Sequence, residues 1–492
     1  MDASTTVEDV EVSTLHWIGG ERVGSANAFA DVSPIDETVI ARVARGGAEE
    51  AGLAVAAARR AFAEWGATPP PRRARVLHAV ADGVEARVEQ LAAVETRDNG
   101  SLLRSMRRSV MPRVARNFRF FADQLLELGG EPLELDGHRS RTRWDPAGVT
   151  AVVTPWNAPL MLATWRVAPA LAAGNTVVLK PPEWAPLTAS LLADIARDAG
   201  LPDGAFNVLQ GTGEEAGHAL IAHPDVDRVA FTGSVATGRL VAQAAAANLT
   251  PASLELGGKS PLLAFADADL DAVVRQAANQ YDNAGQVCLA GTRLLVEDDV
   301  YDEFLDRLTA AAAALRQGDP RDPRTDVGPL ITREHLDRVD GFVRRAQADG
   351  ARVLFGGGPD ERLGGLWYRP TLLIDAPEGA EILTREVFGP VLTAQPFADE
   401  EEAVALANAT HYGLAATVYT GDPERAERVA ARLVAGTVWV NCFYVRDLRA
   451  PFGGARDSGI GREGGAYSFD FYADVKTVCT APWRHNGRGG DG

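Results

Sequence analysis

Three widely separated side chains have the right types to carry out covalent acyl chemistry. Cys288 closes the segment Gly285-Gln286-Val287-Cys288, just after a predicted helix. A thiol is intrinsically a good nucleophile, and a nearby base or positive field raises its thiolate fraction. A lone cysteine is also an ordinary packing residue. Glu255 stands between two leucines in Leu254-Glu255-Leu256-Gly257-Gly258-Lys259. Apolar surroundings there would raise its pKa toward the range of a general base. The competing reading is a strand-end salt bridge to Lys259. Asn157, in Pro155-Trp156-Asn157, could donate its amide to an oxyanion beside a backbone N–H, or serve as a plain turn residue.

A second group of residues has the chemistry of a nucleotide site. Phe231-Thr232-Gly233-Ser234 opens a helix directly after a strand. Gly233 permits close backbone approach, and Ser234 can cap the helix or bond a phosphate. Gly211-Thr212-Gly213 is a similar loop before the next helix. Lys180-Pro181-Pro182-Glu183 sets a base and an acid three residues apart on a rigid turn, a spacing that could bracket a ribose diol. An acid at that place repels a 2′-phosphate and favours NAD over NADP; the plainer reading is a solvated ion pair. Gly258-Lys259-Ser260 imitates the end of a phosphate loop, but Ser253 stands where the earlier glycine is required, which excludes an NTPase.

The elements that must position these groups alternate along the chain. Helical spacing predicts helices over 48–62, 72–96 and 104–128, the first two separated by Pro69, Pro70 and Pro71. Gly129, Gly130 and Gly137 then punctuate short alternating segments, a hairpin or arm. Strands are predicted at 148–153, 175–180, 206–209 and 228–231, with helices at 161–173, 186–199, 214–222 and 235–247 between and after them. That alternation means a parallel doubly wound sheet, which binds ligands at the carboxyl ends of its strands. A second alternating set begins near Ser253, with a helix over 270–281 and others over 300–315 and 335–347. The expected fold is α/β: a Rossmann-like lobe and a second doubly wound lobe joined near 254–258, with a cleft between them and a small β arm. The first fifteen residues read as loose.

Composition limits the partners. The chain has 492 residues with 49 Lys and Arg against 67 Asp and Glu, a formal charge of −18. Such an acidic protein is a poor ligand for nucleic acid. The most apolar stretch, 148–179, is interrupted by Asn157, Arg166 and Asn175, so no membrane span is expected. Cys288, Cys442 and Cys479 are scattered and odd in number, which suggests neither a disulfide framework nor a metal site. With no signal-peptide pattern at the start, the expected location is the cytoplasm.

In this order the motifs resemble the aldehyde dehydrogenase superfamily, from about Leu15 to Thr480. They are Pro155-Trp156-Asn157, Lys180 to Glu183, Phe231 to Ser234, Glu255 to Lys259, Gly285 to Cys288, Glu386-Val387-Phe388-Gly389-Pro390 and Pro451-Phe452-Gly453-Gly454. The resemblance implies that Cys288 attacks the aldehyde and that Asn157 and the Cys288 N–H hold the oxyanion. Hydride would pass to NAD, and Glu255 would activate the water that hydrolyses the thioester. Family members that transfer the acyl group to coenzyme A generally lack the glutamate, so its presence favours hydrolysis. Lys180 and Glu183 would hold the adenosine ribose, Ser234 the pyrophosphate, Glu386 the nicotinamide ribose, and Phe388 would pack beside the ring. Thr154, Pro155, Trp156, Gly213, Gly217, Phe231, Gly233, Leu256 and Gly257 complete the expected cofactor contacts. Pro182 departs from the serine often found there.

The resemblance also implies domains: dinucleotide-binding over 1–127 and 147–254, catalytic over 255–465, an oligomerisation arm over 128–146 and 466–484, and a flexible tail over 485–492. The arm would pair with C-terminal strand residues of another subunit in a homodimer or homotetramer. The stretch Val445-Arg446-Asp447-Leu448-Arg449-Ala450-Pro451-Phe452 is similar to that of the 2-hydroxymuconate and 5-carboxymethyl-2-hydroxymuconate semialdehyde dehydrogenases of aromatic ring cleavage. Gly461 to Gly465 and Trp165 to Leu171 point the same way. Burying a guanidinium suits a carboxylate on the substrate. Arg446 is the expected ligand, with Phe452 beside it and Arg113 supplied from an early helix as in that group; Arg449 and Arg446 could instead be structural ion pairs. The alternatives are a broad aromatic or aliphatic aldehyde dehydrogenase, in biosynthesis included, and a non-catalytic protein on the same fold.

Overall fold

The computed structural model describes residues 3–129 and 132–482. Five strands form the centre of the first sheet: Val149–Val153, Thr176–Lys180, Phe206–Val208, Arg228–Thr232 and Ala252–Glu255. They run parallel in the spatial order third, second, first, fourth, fifth. Nearly every residue in them is buried, as expected of parallel strands covered by helices on both faces. Antiparallel edge strands flank the set: Gly459–Ile460 on one side, His16–Ile18 and Glu21–Val23 on the other.

Strand order reverses between Val149–Val153 and Arg228–Thr232, the place where doubly wound sheets open a ligand crevice. The segments that follow the strand ends, Thr154 to Asn157, Pro181 to Glu183, Gly233 to Ser234 and Leu256 to Gly258, therefore gather at one rim. Pro159–Ala173 is buried along almost its whole length under this sheet, so its polar Arg166 must find partners inside the protein.

The second sheet has seven strands in the order Arg352–Phe355, Thr371–Ile374, Val391–Phe397, Arg293–Glu297, Pro261–Ala264, Ala415–Tyr419 and Thr437–Val440. All pairs are parallel except the first. The helix expected over 270–281 stops at Ala278. The chain then bends through Asn283, Ala284 and Gly285, all left-handed with φ of 51°, 53° and 69°. A Cβ on Gly285 would lie 2.1 Å from the Gly389 carbonyl oxygen, so only glycine fits there. This bend delivers the segment ending in Cys288 to the cleft.

Five other expectations change. Within the first fifteen residues, expected to be loose, Ser4–Val7 and Val10–Ser13 form a hairpin that buries Val7 and Val12. The single helix expected over 72–96 is two, Pro70–Ala86 and Val88–Asn99, because Arg87 leaves the helical region at φ −116°, ψ 19°. Its guanidinium bonds Asp198 at 2.8 Å, an anchor outside the helix that periodicity does not reveal.

The arm, Leu133–Leu135 with His138–Pro146, pairs with Ala473–Thr480 of the same chain, in register from Ala473 opposite Pro146 to Thr480 opposite Arg139. It was expected to pair with another subunit. The helix Gly465–Tyr472, expected in the arm, sinks Phe469 and Tyr472 into the core of the first lobe. Likewise Gly459–Ile460 lies inside the range expected for the second lobe yet extends the first sheet. The tail expected over 485–492 falls outside the described residues. Among the described residues no helix is long and apolar enough to cross a membrane.

Candidate active site

Two glycines bring the second lobe against the first. A Cβ on Gly258 would approach the Cys288 carbonyl oxygen to 2.6 Å, and one on Gly257 would approach a Glu386 carboxylate oxygen to 2.1 Å. The loop after Glu255 is thus packed directly against the loops of Cys288 and Glu386. Cys288 is half-buried beside an apolar cluster of Leu289, Leu414, Ala415, Trp439 and Phe452, with Cys442 on the same cluster.

Burial, with Glu386 and Glu255 nearby, pushes the Cys288 pKa up to about 12, and Arg446 opposes this only in part. Desolvation and two carboxylates disfavour a thiolate in the enzyme without cofactor.

Glu255 is 6% exposed, and its charge partner is Arg166 at 3.7 Å. The alternative partner, Lys259, keeps a buried Nζ with no hydrogen-bond partner among the described residues, and burial pulls its pKa down to about 7. Arg166 is wholly buried. It donates to Ser253 Oγ at 3.1 Å, to Thr232 Oγ1 at 3.1 Å and to the Phe231 carbonyl at 3.2 Å, and it is paired with the buried Glu463. Tyr472 donates to Glu463 from below. Sequence reasoning missed Arg166 and Glu463 as site residues. The available signal was a lone arginine in the apolar helix Pro159–Ala173, which must be compensated to be buried.

Asn157 is 8% exposed, and its Nδ2 donates to the Gln286 carbonyl at 2.9 Å, two residues before Cys288. Its own carbonyl accepts from Asn283 Nδ2 at 3.2 Å. The structure therefore brings Asn157, Cys288 and Glu255 to one cleft.

The nucleotide-site residues gather at the rim of the first sheet. Lys180 Nζ bonds Glu183 Oε2 at 2.9 Å; Lys180 is only 2% exposed, whereas the Glu183 side chain is 34% exposed, so the pair is half-buried, its base enclosed and its acid at the rim. Burial works against the Glu183 charge, but Lys180 and backbone N–H groups, that of Gly213 among them, hold its pKa below the usual range. A Cβ on Gly217 would touch the Lys180 stem at 3.4 Å. Ser234 caps the helix Val235–Ala247, accepting from Thr237 N at 3.1 Å, and leaves the other first-turn N–H groups of a thirteen-residue helix at the crevice.

A Cβ on Gly233 would strike the Phe231 ring at 2.5 Å, and Leu256 fills the space beside Gly238. Thr154 is buried, its Oγ1 without a hydrogen-bond partner among the described residues, and Pro155 follows it to Trp156. Trp156 packs 5.3 Å from Phe388 and 6.0 Å from Trp184. Glu386 Oε1 accepts from Gly258 N at 3.0 Å, and burial raises its pKa to about 7. A helix N-terminus at a switch point, close backbone approach and a half-buried base–acid pair at the rim fit a dinucleotide.

Beyond Cys288 the cleft carries two guanidiniums. Arg446 lies 3.5 Å from the centre of the Phe452 ring and 4.4 Å from that of Trp165. Its Nη2 is buried without a hydrogen-bond partner among the described residues. Arg113 lies 5.4 Å from the same Trp165 ring and donates to Asn117 Oδ1 at 2.8 Å. Burial and the charge of Arg446 bring the Arg113 pKa down to about 10. Arg449 instead forms an exposed pair with Asp447, and Arg104 and Arg107 pair with Asp326 and Glu89. The structure thus separates Arg446 from Arg449, and Arg113 from two of its neighbours.

Known proteins are similar to this chain along nearly its whole length. Residues 22–478 match the model of the Aldehyde dehydrogenase family. The chain is 45% identical over 478 residues to a 2-hydroxymuconic semialdehyde dehydrogenase of Pseudomonas sp. strain CF600, covering 94% of this chain and 98% of that one. It is 42% identical over 462 residues to the 5-carboxymethyl-2-hydroxymuconate semialdehyde dehydrogenase of Escherichia coli, covering 92% and 98%. The P. syringae indole-3-acetaldehyde dehydrogenase AldA, solved in complex with NAD+, superposes with a TM-score of 0.94 at 37% identity, covering 96% and 98%. Two α/β lobes, a thiol and a carboxylate meeting at their cleft, and similarity along nearly the whole length lead to one conclusion: the chain belongs to the aldehyde dehydrogenase family.

Proposed function

We propose that this enzyme uses NAD to oxidise a carboxylate-bearing semialdehyde of the muconate type to the corresponding acid. The observation that carries the substrate class is the pair Arg113 and Arg446 over the Trp165 ring, with Arg446 Nη2 buried and without a hydrogen-bond partner among the described residues, and with Glu255 the acid whose charge acts on Arg446. A buried guanidinium with free donors is costly alone and well matched to a carboxylate. The names of the two semialdehyde dehydrogenase relatives agree with this reading.

The residues divide the work as follows. Arg446 and Arg113 hold the distal carboxylate and aim the aldehyde at Cys288. The Cys288 thiol gives its proton to water, its Sγ adds to the carbonyl carbon, and the C=O electron pair moves onto the oxygen, an oxyanion held by Asn157 Nδ2 and the Cys288 N–H. NAD, held by the residues named below, would supply the hydride acceptor. Collapse of the thiohemiacetal leaves a thioester on Cys288. Glu255 takes a proton from water, the hydroxide adds to the thioester, and the C–S bond breaks to free the acid and the thiol. Arg166 and Glu463 hold Glu255 from behind. Lys180, Glu183 and Glu386 would hold the two riboses, and the N–H groups after Ser234 the pyrophosphate.

We also propose a homo-oligomer in the cytoplasm. Leu133 and Leu135 are each 71% exposed on the outer strand of the arm, a free edge suited to a second copy; three free cysteines suit a reducing compartment. The test of the main reading is NADH formation from paired aldehydes with and without a distal carboxylate. Marked preference for the carboxylated members, a muconate semialdehyde above all, supports it. Equal rates would leave a broad-specificity aldehyde dehydrogenase.

A further inference from the structure

One face of the helix Arg333–Ala348 grips the loop that carries Glu386 and Phe388. His335 Nε2 donates to the Phe388 carbonyl at 2.7 Å. Arg338 donates to the carbonyls of Val387 and, at 2.8 Å, of Glu386. A Cβ on Gly389 would approach the Val339 side chain to 2.7 Å, so helix and loop are in direct contact there. Phe388 has φ 61°, a left-handed backbone that a phenylalanine keeps only when its surroundings impose it.

The buried His335 ring also packs edge-on against Trp156 at 5.3 Å. Burial brings its pKa down to about 4, so the ring is neutral at physiological pH with the proton on Nε2. The far side of the loop meets Gly257, Gly258 and Gly285. The run into the same helix also holds the Cys288 segment: Ile331 N donates to Gln286 Oε1 at 3.0 Å, and Gln286 Nε2 donates to the Pro329 carbonyl at 3.4 Å.

We propose that His335, supported by Arg338, is a positioning residue: it holds Phe388 in its left-handed turn and thereby keeps Glu386 and Phe388 placed for the dinucleotide. The inference rests on the cofactor reading of Glu386 and Phe388 given above. Neither His335 nor Arg338 belongs to the motifs that suggested the site.

The test is NAD affinity, read by quenching of tryptophan fluorescence in the full-length enzyme, since Trp156 borders the loop. H335L removes the donor and is expected to raise the NAD Kd about tenfold, with KM for NAD rising more than kcat falls. H335Q restores an N–H donor at similar reach and is expected to return the Kd to within about twofold of the parent. A merely structural histidine would show no such rescue. Unchanged affinity in H335L, or H335Q as weak as H335L, overturns the proposal. Should H335L fail to fold, R338Q at its exposed position is expected to raise the Kd about threefold, and no rise overturns the proposal. E386Q separates the two layers. Unchanged NAD affinity in E386Q sinks the cofactor reading and this inference with it. Weakened affinity in E386Q with normal binding in H335L sinks the positioning claim alone.

Discussion

Replacing Arg446 by methionine tests the substrate reading most directly. Methionine keeps an unbranched stem that can pack on Trp165 and Phe452, so the change removes the charge more than the volume. In the free enzyme little is lost: Nη2 has no hydrogen-bond partner among the described residues, and the contacts with two rings are worth about 0.5–2 kcal/mol. The melting temperature should therefore move little. In the substrate complex a charge-assisted hydrogen bond of about 1.5–3 kcal/mol disappears, and a carboxylate is left facing an apolar wall. At about 1.4 kcal/mol per tenfold, kcat/KM on carboxylated semialdehydes should fall by about 10- to 150-fold. On a neutral aldehyde of similar size the loss should be clearly smaller, because only the help that Arg446 gives the Cys288 thiolate disappears. Arg113→Met should show the same selectivity, and the double variant should lose less than the product of the two, because both groups serve one anion. The assay is initial-rate NADH formation on matched aldehydes. An equal fall on neutral and carboxylated substrates would refute the reasoning and make Arg446 a structural residue.

Glu183→Gln removes the acid that would face a 2′-phosphate while leaving the buried Lys180, so the kcat/KM ratio of NADP to NAD should rise about tenfold or more; steady-state kinetics with both cofactors checks it. Glu255→Gln should give a burst of NADH of about one per site followed by slow turnover, as the thioester accumulates; rapid-mixing absorbance with no burst would place Glu255 before hydride transfer. With its pKa pushed up to about 12, Cys288 in the enzyme without NAD should alkylate slowly, the rate climbing with pH through the whole alkaline range without a plateau. Glu386→Gln removes one of the two carboxylates that raise that pKa, so alkylation at fixed pH should quicken, as mass spectrometry would show. Burial raises the pKa of Glu95 to about 7. A carboxyl that is harder to ionise folded than unfolded binds more protons in the native state, so stability falls as pH rises from the usual carboxylate range toward 7. Glu95→Gln, which keeps the shape and cannot ionise, should flatten that fall in melting temperature.

What was legible followed from short-range rules. Strand and helix alternation from Val149 to Ala247 reads directly as a parallel sheet, because buried parallel strands are apolar runs and their crossovers are helices. The placing of Thr154 to Asn157, Lys180 to Glu183 and Gly233 to Ser234 at one rim follows from that topology alone. Cys288, Glu255 and Asn157 were legible as residue types in motifs. Where local pattern failed, a distant contact had overridden it. Arg87 breaks a periodic helix for a bond to Asp198, and a polar N-terminal segment hides two buried valines under a hairpin.

The one-dimensional pattern of apolar and polar residues, with its glycines and motif side chains, determined the two-lobed α/β fold, the cleft and the kind of chemistry there. Only the tertiary structure decided which charge faces which. Arg166 lies far along the chain from Glu463 and Glu255, and nothing in their local sequences announces that the three share one buried space. The same holds for Arg446, which meets Trp165 and approaches Arg113 across three separate elements while its sequence neighbour Arg449 turns outward to Asp447. The physical reason is that secondary structure follows from neighbours a few residues away, whereas the energy of a charge depends on burial and on partners that only the folded chain brings within a few ångströms.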